Sequence, residues 1–93
     1  MTKSQLITRI NAIAIEYCGS QLAGLNSMSK DALQGKLTKF QQMITHYRAY
    51  STIIGQYTEM QRKAYSLMGD QAPPDYQQAW QEYTAAIQIW RNQ

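Results

Sequence analysis

From Leu33 to Met68 the chain steps through Leu33, Leu37, Phe40, Ile44, Tyr47, Ser51, Ile54, Thr58, Gln61, Tyr65 and Met68 in strict increments of four and three. This is the heptad spacing that keeps one side of an α-helix apolar. Such a run predicts one long helix over about 29–68, although Ser51, Thr58 and Gln61 dilute its lower half. Ser27 or Ser29 supplies the N-cap, and Asp31 falls in the first turn, where the helix dipole favours an anion. Gly69 offers a C-terminal stop. Pro73-Pro74 forbids continuation.

A helix of that length constrains everything else. At 1.5 Å per residue it spans about 60 Å, whereas a compact chain of this size has a radius of gyration of about 12 Å. Gly55 is the one position that weakens it, by about 1 kcal/mol relative to alanine, and the seam continues in phase on both sides. The reading is therefore an elongated central helix, straight or bent, flanked by two shorter ones.

The first flanking helix, about 3–18, starts at Thr2, whose spacing to Gln5 fits a Thr-x-x-Gln capping box. Leu6, Ile10, Ile13 and Tyr17 form its stripe, and Gly19-Ser20 ends it. The segment 19–28 reads as a loosely wound connector, because Gly19, Gly24 and Asn26 interrupt it. The last helix, about 74–91, opens at Pro74, a favoured first helical residue, with Asp75 beside it. Tyr76, Trp80, Tyr83, Ile87 and Trp90 give it an almost wholly aromatic stripe. No period-2 run or Asn-Gly hairpin signal occurs, so the expected fold is all-α, a single helical domain over 1–93 with three main helices.

Two short helices cannot cover the middle of a long one. The segment "HYRAYSTIIGQY", 46–57, then exposes an apolar side formed by Tyr47, Tyr50, Ile54 and Tyr57. An isologous antiparallel homodimer is the simplest way to bury it. The same side, with Trp80, Tyr83 and Trp90, makes the candidate partner or dimer interface, since Tyr, Trp, Met and Arg dominate interface cores. Seven Tyr, two Trp and five Met in 93 residues support that reading. A monomeric bundle filling its core with aromatics is the competing one.

Chemistry is sparse. There is one His, one Cys and six carboxylates at scattered positions: Glu16, Asp31, Glu59, Asp70, Asp75 and Glu82. No Cys-x-x-Cys, His-Glu-x-x-His or glycine-rich phosphate loop is present. Cys18 and His46 lack the spacing of a metal or nucleophilic site. No enzyme activity, cofactor or metal is expected. The lone Cys18 and the absence of a secretory segment suggest a reducing, cytoplasmic setting. Arg9, Asn11 and Glu16 interrupt the apolar N-terminus well short of a membrane span.

The net charge of +3 is unevenly spread. Residues 1–28 carry +1, residues 29–69 carry +4 and residues 70–93 carry −2. Lys30, Lys36, Lys39 and Arg48 therefore define an alternative function, salt-sensitive nucleic-acid binding by a basic central helix. Arg48 lies on roughly the opposite side from Lys39, and no clean helix-turn-helix is visible, so protein binding is preferred. The aromatic C-terminal helix is acidic, which disfavours an anionic membrane surface. Its sequence, "PPDYQQAWQEYTAAIQIWR", resembles the Pro-then-Trp/Tyr helices near the end of some phage tail-assembly proteins. That resemblance covers a fifth of the chain without a diagnostic motif and transfers no residue roles. The expected function is a small non-enzymatic protein-binding adaptor or modulator, of a kind encoded by phages or mobile elements to regulate a host protein.

Overall fold

Thr2 caps the first helix as its spacing predicts. Its hydroxyl accepts from the Gln5 backbone N–H, and the Gln5 side chain accepts from the Thr2 N–H. The computed structural model describes residues 1–92, and among these it contains α-helices and 3₁₀ turns but no strand. The α-helices are α1 (Lys3–Cys18), α2 (Lys30–Ile54), α3 (Glu59–Met68) and α4 (Pro74–Arg91), with 3₁₀ turns at Leu25–Ser27 and Gly69–Gln71. α1 ends at Gly19, whose φ of 87° is left-handed and whose N–H reaches the Ile15 carbonyl. Only glycine adopts that conformation without a Cβ penalty. Ser29 caps α2 by accepting from the Ala32 N–H.

The single helix expected over about 29–68 is in fact two helices, which makes four rather than three among the described residues. The cause is a turn at 55–58. α2 finishes on Ser51-Thr52-Ile53-Ile54, a run of polar and β-branched residues that favours helix poorly. Gln56 and Tyr57 then donate to Ile53 and Ile54 in tight i→i+3 bonds of 3.1 Å. A Cβ on Gly55 would stand 3.0 Å from the Ser51 carbonyl oxygen, so the turn is built around glycine. Thr58 is extended (φ −69°, ψ 161°) and starts α3 with a second Thr-x-x-Gln capping box, this time to Gln61. The four-residue step from Ile54 to Thr58 keeps the apolar pattern in phase across the break. That is why the periodicity hides it.

The chain divides into two compact units, residues 1–41 and 42–92. In the first, Leu6, Ile10 and Ala14 of α1, Leu25 of the 3₁₀ turn, and Leu33, Leu37 and Phe40 of α2 are buried. Both helical sets follow i, i+4, i+7/i+8 spacing, as an amphipathic helix must to bury one face. Polar ties hold the connector down. The Asn11 carboxamide accepts from the Leu22 N–H at 3.1 Å, and the Lys3 ammonium donates to the Asn26 carbonyl at 2.8 Å.

In the second unit Ile54, Ala72, Tyr76 and Ala79 form a small core, with Tyr50, Ile53, Tyr57 and Tyr65 packed around it. Ala79, fully buried, lets the rings approach α4 closely. Gln77 donates through its Nε2 to the Asp70 and Ala72 carbonyls, joining the 3₁₀ turn to α4. Of the tyrosines that motivated a second copy, Tyr50 and Tyr57 thus pack within their own unit, whereas Tyr47 stays 42% exposed.

Candidate protein-docking surface

α3 is ten residues long and has no buried residue. An isolated helix of that length is marginal in water, so its attachment deserves accounting. Tyr65 and Tyr76 meet edge-on at 5.4 Å between ring centres, and Tyr57 sits against both at 5.3 and 5.9 Å. The Tyr76 hydroxyl lies 2.7 Å from the Ser66 hydroxyl and donates to the Arg62 carbonyl at 3.3 Å. Tyr65, Ser66 and the Arg62 backbone are therefore the attached side of α3. Met60, Ala64 and Leu67, at i, i+4 and i+7, form the other side.

That other side is apolar and open. Met60 is 81% exposed and Leu67 90%, with Met68 at 44% beside them. Single exposed apolar residues are ordinary, but several adjacent ones mark contact surfaces. Trp80 of α4, 48% exposed, adds a large aromatic to the same unit. Between them runs a cleft of about 450 Å³, with Leu67 on its lining and Tyr50, Tyr76 and Trp80 providing aromatic walls. Arg62 and Lys63 supply its cations and Glu59 one carboxylate. A second hollow of about 270 Å³ shares Tyr76 and Trp80 and extends past Tyr65 to Gly69 and Gln77.

A ladder of rings supports Trp80. It packs on Tyr83 at 5.3 Å, Tyr83 stacks on Tyr50 at 4.6 Å, and Tyr50 touches Tyr47 at 6.4 Å. The His46 imidazole pairs through Nδ1 with the Glu82 carboxylate, tying α2 to α4 at the same level. Offset aromatic contacts of this kind contribute roughly 0.5–1.5 kcal/mol each beyond area burial. Burial and the neighbouring Tyr83 push the Tyr50 phenol above its ordinary value.

The residues expected at an interface from sequence separate into three groups. Tyr47 and Trp80 are exposed; Tyr50, Tyr57, Tyr83 and Trp90 are half-buried; Ile54 is buried in the core of its own unit. Met60, Leu67 and Arg62 were absent from that expectation, because they lie off the heptad seam. The i, i+4, i+7 stripe Met60-Ala64-Leu67 was nonetheless readable as a second apolar face on 59–68. Of the basic residues, Lys30, Lys39 and Arg48 are exposed and Lys36 is half-buried, its ammonium 5.9 Å from the Phe40 ring centre. Lys30, Lys36 and Lys39 belong to the first unit and Arg48 to the second.

Tyr57 carries the clearest electrostatic signature. Its hydroxyl donates to the Asp75 carboxylate at 2.6 Å, and that bond, with desolvation and the Asp75 charge, pushes its pKa up to about 12. A phenol raised in the folded state contributes stability that is complete below its unfolded value of 10.0 and lost as pH rises through 12. In a phenolate absorbance titration of the folded protein, Tyr57 should therefore ionise near 12, and Asp75→Asn should bring it back toward 10. A Tyr57→Phe protein that loses no late-titrating component would contradict the assignment.

Cys18 is half-buried at the end of α1, and burial pushes its thiol up. It is accordingly a poor nucleophile at neutral pH. Among the described residues no group of three or more His, Cys, Asp or Glu side chains could hold a metal ion, and no helix is long and apolar enough to cross a membrane. No protein-family model matches the chain, and neither a curated protein nor a solved structure shows significant similarity to it.

Proposed function

We propose that the chain is a protein-binding module whose contact surface is the exposed side of α3 together with the aromatic cleft beside it. One observation carries the reading: Met60 and Leu67 stand 81% and 90% exposed on one face of α3 while the opposite face is engaged. A soluble chain keeps such a face accessible at the risk of non-specific association, so a contact role is the economical explanation. Leu67, Trp80 and Tyr50 are the anchors of the surface, and Arg62 and Lys63 set its polarity.

The test compares wild type with Met60→Lys/Leu67→Lys. Surface substitutions of this kind leave stability within about 0.5 kcal/mol, so thermal melts should coincide. Immobilised wild type should retain a protein from a lysate of the source organism that the double variant does not. Identical retention by both proteins would remove the surface from consideration.

A second reading rests on a separate observation. The first unit holds Lys3, Arg9, Lys30, Lys36 and Lys39 against Glu16 and Asp31, whereas the four cations and four carboxylates of residues 42–92 cancel. The whole net charge of +3 therefore sits in residues 1–41. Burial, with the neighbouring Lys39 adding to it, lowers the Lys36 ammonium. Nucleic-acid binding through this unit would weaken steeply with salt and disappear in Lys36→Glu/Lys39→Glu.

A further inference from the structure

We infer that the cleft between α3 and α4 is a receptor for an acidic amphipathic α-helix from a partner protein. The inference deepens the protein-binding reading and rests on it. Two observations select the occupant: the backbone chemistry of the walls and the charge at the cleft.

The walls come from α2, α3 and α4, whose mid-helix N–H and C=O groups are bonded within their own helices. An extended peptide laid in the cleft would leave backbone groups without partners, at a cost of about 1–3 kcal/mol for each one buried. A helix satisfies its own backbone and presents only side chains. A proline-rich segment avoids N–H groups but brings no carboxylate to the Arg62 guanidinium on the lining. A helix is the segment that suits these walls.

Charge decides its sign, since Arg62 and Lys63 outnumber Glu59 on the lining. Arg62 spends its Nε on the Tyr57 carbonyl at 3.2 Å, and among the described residues its guanidinium has no carboxylate partner. Arg62 lines the cleft together with Tyr50 and Trp80. Lys63 pairs with Glu59 at 4.0 Å, with both side chains at least 80% exposed. A pair that open contributes little and exchanges readily. A guanidinium with a free fork beside Trp80, Tyr50 and Leu67 matches a carboxylate carried next to apolar anchors.

A single amphipathic helix with Leu-like anchors at i, i+3/i+4 and i+7 matches the length of the ten-residue α3 and the cleft beside it.

The test is selection from a display library of random peptides about 14 residues long, four helical turns, with wild-type protein as bait. Binders to Arg62→Glu/Leu67→Lys are removed first. The enriched sequences should carry apolar residues at i, i+3/i+4 and i+7 and a net negative charge. Synthetic copies should bind wild type at least tenfold tighter than the Arg62→Glu protein, and reversing their Glu to Lys should weaken binding at least tenfold. Basic or proline-rich winners that still require Leu67 would overturn this inference while leaving the protein-binding reading intact. Failure to enrich any sequence dependent on Arg62 and Leu67 would overturn it as well. So would light scattering showing a wild-type dimer that Leu67→Lys dissolves, or steep salt-dependent binding of oligo-dT that Arg62→Glu abolishes.

Discussion

Phe40→Ala is expected to destabilise the protein by about 3–5 kcal/mol, lowering its far-UV melting midpoint by about 15–30 °C. Phe40 is fully buried and is the largest of the fully buried side chains. It sits at the third position of the Leu33-Leu37-Phe40 stripe, in a unit of only about forty residues. Small units bury too little surface to absorb such a loss, and total stabilities of such chains lie at about 5–15 kcal/mol. Phe40→Leu keeps the apolar contact and most of the volume, so its loss should be about 1 kcal/mol. A midpoint for Phe40→Ala within a few degrees of wild type would mean that the ring is not where the fold places it.

Tyr76→Ala should have an effect of similar size, about 3–5 kcal/mol, but through the second unit. Tyr76 is 5% exposed, contacts Tyr57 and Tyr65 edge-on, and anchors α3 through Ser66 and the Arg62 carbonyl. Removing its ring deprives α3 of its principal attachment. Tyr76→Phe isolates the hydroxyl. It should cost about 1 kcal/mol and accelerate amide hydrogen exchange in residues 59–68 far more than in α1. The contrast between the two variants separates ring packing from hydroxyl anchoring. Equal exchange in wild type and Tyr76→Phe would show that α3 is held by something other than these bonds.

Local signals in the sequence proved dependable where a single physical cause set them. Thr2 with Gln5 and Gly19 marked both ends of α1, and Pro74 marked the start of α4. The same capping chemistry at Thr58 and Gln61 was equally legible, yet the in-phase seam outweighed it. Periodicity tests only whether apolar residues share a side. It is blind to a turn that advances the chain by one helical repeat, as residues 55–58 do. The aromatic residues were expected at a partner or dimer interface; Tyr50, Tyr57 and Tyr83 pack within their own unit, and their neighbours depend on where α3 folds. Tyr57 illustrates this: it meets Tyr65 and Tyr76 only because the helix stops before it. Leu67 and Met60 escaped notice because the unbroken helix had a different face turned outward. The open side chain of Arg62 depends on three-dimensional neighbours that no spacing rule encodes.

The central claim is that α3 turns its Met60–Leu67 side to water in the folded protein. The five methionines provide the probe, since Met43 is 4% exposed, Met60 81% and Met68 44%. Methyl-labelled protein examined by NMR with a soluble paramagnetic agent should show the Met60 signal strongly attenuated and the Met43 signal spared. A Met60 methyl as protected as that of Met43 would mean that this side is covered in solution, and the docking surface described above would not exist.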